Sequence, residues 1–227
     1  MRDFSDDFVI HSMQELAGAV EQCGFLPFFA NSVEGFSVEE HIDRRLWFTG
    51  LEGPWEWKGP LIREYGFAYG KFFEKKAAFV SPGWFRELAN YRRDGYDFDA
   101  LCDDGLANAR DARLYKLLSE NAPVLSKKLK RLGNYGRDGM KGFDTGITSL
   151  QTQCYAVISD FVYMRDRHGA PYGWGVAEYS TPEMLFGVDF AQSVYRRAPH
   201  ESYGLLLERM KELFPLADEK TLRKFLG

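Results

Sequence analysis

Lys127, Lys128, Lys130, Arg131, Arg137 and Lys141 place six positive charges within a short stretch that Asp138 alone opposes. Leu125, Leu129 and Leu132 recur through the same stretch at helical spacing. A helix over 125–132 would turn its leucines one way and fan its cations outward. Cations on the outer face of a helix suit the neutralisation of phosphates, and lysine, a point charge, adds affinity more than base selectivity. The competing reading is a solvated face kept for packing or for contact with a protein. A second basic group comprises Lys71, Lys75, Lys76, Arg86, Arg92 and Arg93, with Glu74 and Glu87 as its acidic members. Facing the same way, the two groups would line one positive groove.

Aromatic residues stand near these charges. Trp47 and Phe48 precede the string Trp55-Glu56-Trp57-Lys58. On an extended segment Trp55 and Trp57 would point the same way and offer a stacking platform for an unpaired base. Packing in a core explains them at least as well. Trp174 lies between Gly173 and Gly175, a setting that admits close approach of a phosphate backbone or marks a bend in a strand. Trp55, Trp57 and Trp174 are therefore the base-stacking candidates. Glu56, flanked by tryptophans that favour a neutral carboxyl, is the candidate general base. Glu39, Glu40 and Asp43 are further carboxylates with less to single them out. The sequence has no G-x-S-x-G, no H-E-x-x-H and no phosphate-binding P-loop.

The elements that must position these residues follow from caps and periodicity. Ser12 with Glu15, and Ser37 with Glu40, have capping-box spacing and predict two helix starts. Met13, Leu16, Ala17, Val20 and Cys23 form the first stripe, stopped by Gly24; Val38, Ile42 and Leu46 form the second. Pro60 predicts a short third helix through Arg63. Residues 67–73 and 77–81 read as a hairpin, and Ser81-Pro82 opens a helix carrying Trp84, Phe85, Leu88 and Tyr91. Residues 94–111 hold six aspartates against Arg110 and read as a solvated connection. Beyond it, Leu114, Leu117 and Leu118, then the 125–132 segment, then Phe143, Ile147 and Leu150 predict three helices. Residues 155–163 and 172–179 predict a long hairpin turning at His168-Gly169. Three helices and a hairpin are the order of a winged helix, a helix-turn-helix with a β-wing. Thr181-Pro182 opens a last helical region. The expected fold is α+β: tandem winged-helix modules over 1–95 and 106–180, with a C-terminal helical extension over 181–227.

Composition narrows the class of function. A net charge of −4 argues against a chain that coats nucleic acid indiscriminately, though not against a local basic face. Three cysteines at wide spacing, Cys23, Cys102 and Cys154, suit free thiols in a cytoplasmic protein. No C-x-x-C pair and no cluster among the four histidines predicts a metal, and no cofactor is expected. Residues 1–7 lack the basic and apolar regions of a signal peptide, so no secretory leader is expected, and no membrane-length apolar run occurs.

The segments Trp55-Glu56-Trp57-Lys58, Ala68-Tyr69-Gly70-Lys71-Phe72-Phe73, Phe79-Val80-Ser81-Pro82, Asn90-Tyr91-Arg92-Arg93-Asp94-Gly95 and Tyr172-Gly173-Trp174-Gly175 resemble bacterial proteins called AlkZ-related. These are similar to the winged-helix DNA glycosylases that unhook interstrand crosslinks. The resemblance covers the chain from about Ser12 to Gly187. It implies tandem winged helices forming a concave DNA-binding surface, and no metal. It also implies a catalytic Gln-x-Gln or Gln-x-Asp shortly after the first helix, placing a water for attack at the sugar. Here the matching stretch, 25–31, contains neither Gln nor Asp. Gln151-Thr152-Gln153 has the spacing but falls in the second module, so it does not take that role.

Together these observations predict a DNA-binding protein, in DNA repair. The alternatives are a glycosylase acting on alkylated or crosslinked bases through another carboxylate, and a non-catalytic module that meets a protein partner or forms a homodimer.

Overall fold

The computed structural model describes residues 8–47, 52–169 and 171–227; Phe48 lies outside the described residues. The first half runs α1 (Met13–Cys23), β1 (Phe25–Pro27), α2 (Val38–His41), a 3-10 turn at Arg44–Leu46, α3 (Pro54–Tyr65), β2 (Ala68–Phe73) and β3 (Lys76–Val80). Helices α4 (Pro82–Arg93) and α5 (Phe98–Asp103) lead onward. The second half runs α6 (Ala109–Asn121), β4 (Val124–Leu125), α7 (Ser126–Leu132), α8 (Phe143–Thr152), β5 (Val157–Arg165) and β6 (Pro171–Ser180). Four helices follow: α9 (Pro182–Phe186), α10 (Val188–Ser193), α11 (Pro199–Leu213) and α12 (Glu219–Leu226).

Caps set many of these boundaries. Ser12 Oγ accepts the Glu15 amide at the start of α1, and Thr181 Oγ1 accepts the Met184 amide at the start of α9. Pro54, Pro82, Pro182 and Pro199 occupy first-turn positions, where a missing N–H costs nothing. The β2–β3 hairpin turns at Glu74 and Lys75, both with positive φ (48° and 59°), as a tight two-residue hairpin turn requires.

The strands form one antiparallel sheet in the order β1-β3-β2-β5-β6-β4. In each half the short first strand pairs with the last, β1 with β3 and β4 with β6. The halves join where Tyr69 of β2 lies opposite Ile158 of β5. The fold is α+β.

Two apolar cores lie against this sheet. The smaller gathers Phe98, Leu114, Leu118, Leu129, Phe143, Ile147, Leu150 and Tyr155. The larger combines α1, β1, β2, β3 and α4 with the C-terminal helices. Phe225 of α12 stacks on Phe73 at 4.7 Å between ring centres and packs edge-on to Phe36 at 5.6 Å. Residues of 181–227 thus complete the interior of the first half.

Several elements depart from the sequence expectation. Helix α3 begins at Pro54, not Pro60, because Gly53 and Pro54 supply the start and Pro60 is accommodated within the helix. Helix α2 ends at His41, where Ile42 leaves to bridge Ile10. The aspartate-rich connection contains α5, and its Asp111 is buried. Leu132, assigned to the inward stripe, is 43% exposed; Leu129 alone of that stripe is fully enclosed.

Candidate nucleic-acid interface

A cleft of about 570 Å³ opens between the β2–β3 turn, α6 and the outer face of α8. Lys75 and Arg110 edge it, and α8 contributes Asp144, Thr145, Thr148, Ser149 and Thr152, with Gln153 following. Beside the cleft, the Lys71 ammonium donates to Thr148 Oγ1 at 3.4 Å, and Thr152 Oγ1 donates to the Lys71 carbonyl at 3.1 Å. The Lys71 amide donates to Gln151 Oε1 at 3.0 Å. These bonds fix the first hairpin against the second half.

The start of α8 receives the other basic group. Lys130 Nζ lies 3.2 Å from Asp144 and 4.7 Å from the Phe143 ring centre. Helix α8 has 10 residues, about 15 Å of helix, so it carries a lysine of one group near each end. Lys127, Lys128 and Arg131 stand exposed on α7, and Arg137 and Lys141 are exposed in the loop before α8. Lys141 Nζ is held by the Gly136 and Arg137 carbonyls at 2.8 and 2.5 Å, which shape that loop.

Asp111 anchors the floor. Burial alone would raise its carboxyl, but hydrogen bonds from Arg110, Ser149 and Asn108 outweigh it and hold the group below the usual carboxylate range. Arg110 and Ser149 are thereby fixed in the cleft by an acid that sequence reading had placed in solvent.

Other candidates serve the fold. Arg93 is 3% exposed, donates to the Cys154 carbonyl at 2.8 Å, to Glu183 at 2.6 Å and to the Tyr195 hydroxyl at 3.2 Å, and cannot meet a ligand. Burial alone would lower its pKa, yet Glu183 and Tyr195 reverse this and keep it charged. Arg92 donates to the Leu226 and Phe72 carbonyls. Both arginines leave the basic surface because α4 turns them toward the C-terminal helices and β2. Lys76 is exposed, but its ammonium is tied to the Ala30 carbonyl at 2.6 Å. Arg86 is exposed.

The tryptophans separate. On a helix, residues two apart point to different sides, so Trp57 is buried at 5% exposure while Trp55 is only half-buried. Trp57 is no stacking platform. Trp55 packs against Phe28, Phe29 and Trp47, and it meets Trp174 edge-to-face with ring centres 5.8 Å apart. Trp174, on β6, is 66% exposed. Glu56 is committed to capping α3, its Oε2 accepting the Gly53 amide at 3.0 Å, which removes the reason for choosing it as a base.

In the stretch 25–31, Phe25, Leu26 and Phe28 are fully buried, and Asn31 staples a loop by donating to the Phe36 carbonyl at 2.7 Å. Gln151 is likewise structural: it is 1% exposed, and its amide nitrogen donates to the Ile147 carbonyl at 3.0 Å. Cys23 and Cys154 are buried and Cys102 exposed, all unbridged. Among the described residues no cluster of His, Cys, Asp or Glu is placed to hold a metal, and no helix is long and apolar enough to cross a membrane.

The sequence alone singles out the α7 cations and Lys75 as candidates, but not Arg110 or the hydroxyls of α8, which line the same cleft as Lys75. The threonines of α8 recur three and four residues apart, a spacing that would have placed them on one face.

An α+β chain with a hydroxyl-lined cleft between two cationic groups is the class these features define. The family model described as AlkZ related matches residues 10–227, and the chain belongs to that family, which links it to DNA repair. Comparison with curated proteins and with solved structures found no match.

Proposed function

We propose that the chain binds duplex DNA through its phosphates, along the cleft beside α8 and the exposed face of α7, as part of DNA repair. The carrying observation is that α8 receives both basic groups, Lys71 and Thr148 on one side and Lys130 and Asp144 on the other. Hydroxyls and cations arranged along one helix are suited to phosphate oxygens, which fix position without reading sequence.

Each half is read as a winged helix. Three helices precede a hairpin in each, and the short strand after the first helix pairs with the last strand in both. By that order α8 is the third helix of its half, the position that enters a groove in three-helix DNA-binding folds. Here Lys71 and Thr152 already tie α8 to β2. A phosphate clamp therefore fits better than insertion of a bare helix into the major groove. No Gln or acidic residue occurs in 25–31 to hold a hydrolytic water, so the proposal is of binding.

Fluorescence anisotropy with a labelled duplex tests this. Replacing Lys71, Lys75, Lys127, Lys128 and Arg131 together by Glu is expected to abolish binding. If these five neutralise phosphates, log affinity in the native protein falls with log salt at a slope of roughly −4.5. An affinity unchanged by the substitutions, or insensitive to salt, overturns the reading.

A further inference from the structure

Lys58 is 8% exposed, an unusual position for a lysine. It follows Trp55 by three residues on α3, and its ammonium lies 4.4 Å from the Trp55 ring centre, 4.2 Å from Phe161 and 5.7 Å from Phe28. Among the described residues no carboxylate lies within ion-pair distance of Nζ and no acceptor hydrogen-bonds it; the contacts it makes are with rings. Gly59 beside it lets β5 approach closely: a Cβ there would stand 2.7 Å from Asp160 Oδ1. The amine thus occupies the join between the halves, held by ring faces alone. Trp55 lies between the amine and the exposed Trp174, the two ring centres 5.8 Å apart. Burial is the main influence and Glu56 a smaller opposing one, and together they bring the amine down to about 8.

We propose that Lys58 is a nucleophile that condenses reversibly with an aldehyde, specifically the open-chain deoxyribose aldehyde at an abasic site in DNA. The choice of aldehyde rests on the DNA-binding reading; the nucleophile does not. The free Nζ lone pair attacks the aldehyde carbon, and a C–N bond forms as the carbonyl oxygen takes up a proton. Loss of that oxygen as water leaves a C=N imine, so no oxidant or reductant is consumed. An apolar surround favours this step twice, by raising the share of the amine present as free base and by excluding the water that would reverse it. The exposed ring of Trp174, set edge-to-face with Trp55, suits stacking by a base neighbouring the abasic position.

The test incubates the full chain with a duplex bearing one abasic site, traps with cyanoborohydride, and maps the adduct by peptide mass spectrometry. Lys58→Arg and Lys58→Met run in parallel, with anisotropy on the same duplex. The expected result is an adduct on Lys58 in the native protein, reduced at least about tenfold in both variants while duplex affinity holds. An adduct on another lysine, one persisting in Lys58→Arg, or none from a protein that binds the abasic duplex overturns the proposal. Mapping in the native protein decides the matter even where a variant fails to fold. Propanal with cyanoborohydride separates the two readings. At pH 7.5 an amine titrating near 8 is over a hundredfold richer in free base than an ordinary lysine, so Lys58 labels faster than Lys127. That labelling without any duplex binding overturns the DNA reading and leaves the nucleophile standing. Failure of Lys58 to label ahead of Lys127 overturns the nucleophile itself.

Discussion

Replacing Lys58 by Met probes the cost of keeping an ammonium among rings. In the unfolded chain this amine titrates near 10.5, and in the folded protein near 8. At about 1.4 kcal/mol per pH unit, burial of the charged form costs roughly 3 kcal/mol. Attraction to the ring faces offsets about 1–2 kcal/mol of that. Lys58→Met, similar in length and free of charge, is therefore expected to be more stable by about 1–3 kcal/mol at pH 7. The pH dependence carries the sign. Below pH 8 the lysine is charged in both states and the wild type bears the whole cost. Between 8 and 10.5 the folded protein sheds the proton while the unfolded chain keeps it, so the wild type gains on the variant as pH rises. Urea denaturation at half-unit intervals from pH 6.5 to 10.5 measures the difference, in which other titrations cancel. Parallel stability curves, or a variant weaker at pH 7, would refute the argument from desolvation.

Arg93→Met leaves Glu183 and the Cys154 carbonyl without their donor, and a loss of about 3 kcal/mol is expected in urea, whereas Lys127→Ala stays within about 0.5 kcal/mol; equal effects would contradict the burial contrast. Asp111, held below the ordinary carboxylate range, contributes stability above pH 3.8 that is lost as pH falls through its lower folded value. Asp111→Asn should flatten that acid limb, read by thermal unfolding between pH 5 and pH 2 on the wild type and variant together. Gly24 holds φ at +88°, and an added Cβ would lie 2.3 Å from the Trp84 ring, so Gly24→Ala is expected to cost at least about 2 kcal/mol; a silent substitution would mean that Trp84 moves freely. Of the three thiols, Cys102 alone should react with a disulfide reagent in the native protein, since burial pushes Cys23 and Cys154 up to about 12. Two or more fast-reacting thiols would refute that.

Elements announced by a cap and a stripe were legible in the sequence: Ser12 ahead of α1, Ser81-Pro82 ahead of α4, the paired runs of β2 and β3. Helix α3 was misread because Trp55-Glu56-Trp57 alternates like a strand, and Pro60 looked like a start when Pro54 already supplied one. The cationic face of α7 was visible locally. The cleft was not, for it depends on Lys71 meeting Gln151 and Thr148 across about eighty residues of chain. Arg92 and Arg93 illustrate the same difficulty, since an arginine bound for a buried carbonyl has the same local sequence as one bound for solvent. Lys58 has no signature of burial beyond Trp55 three residues before it and Gly59 beside it.

The dependence of the first half on α11 and α12 bears on the order in which the chain matures. Phe225 covers one side each of Phe36 and Phe73, and Arg92 bonds the neighbouring Leu226 carbonyl. During synthesis from the N-terminus, the early half waits with aromatic surface uncovered until residues near 226 leave the ribosome. The smaller core, built from residues 98–156, has no such dependence. The part translated later is therefore able to finish first, and a nascent chain stalled before residue 219 would present a chaperone with an open first half beside a completed second one.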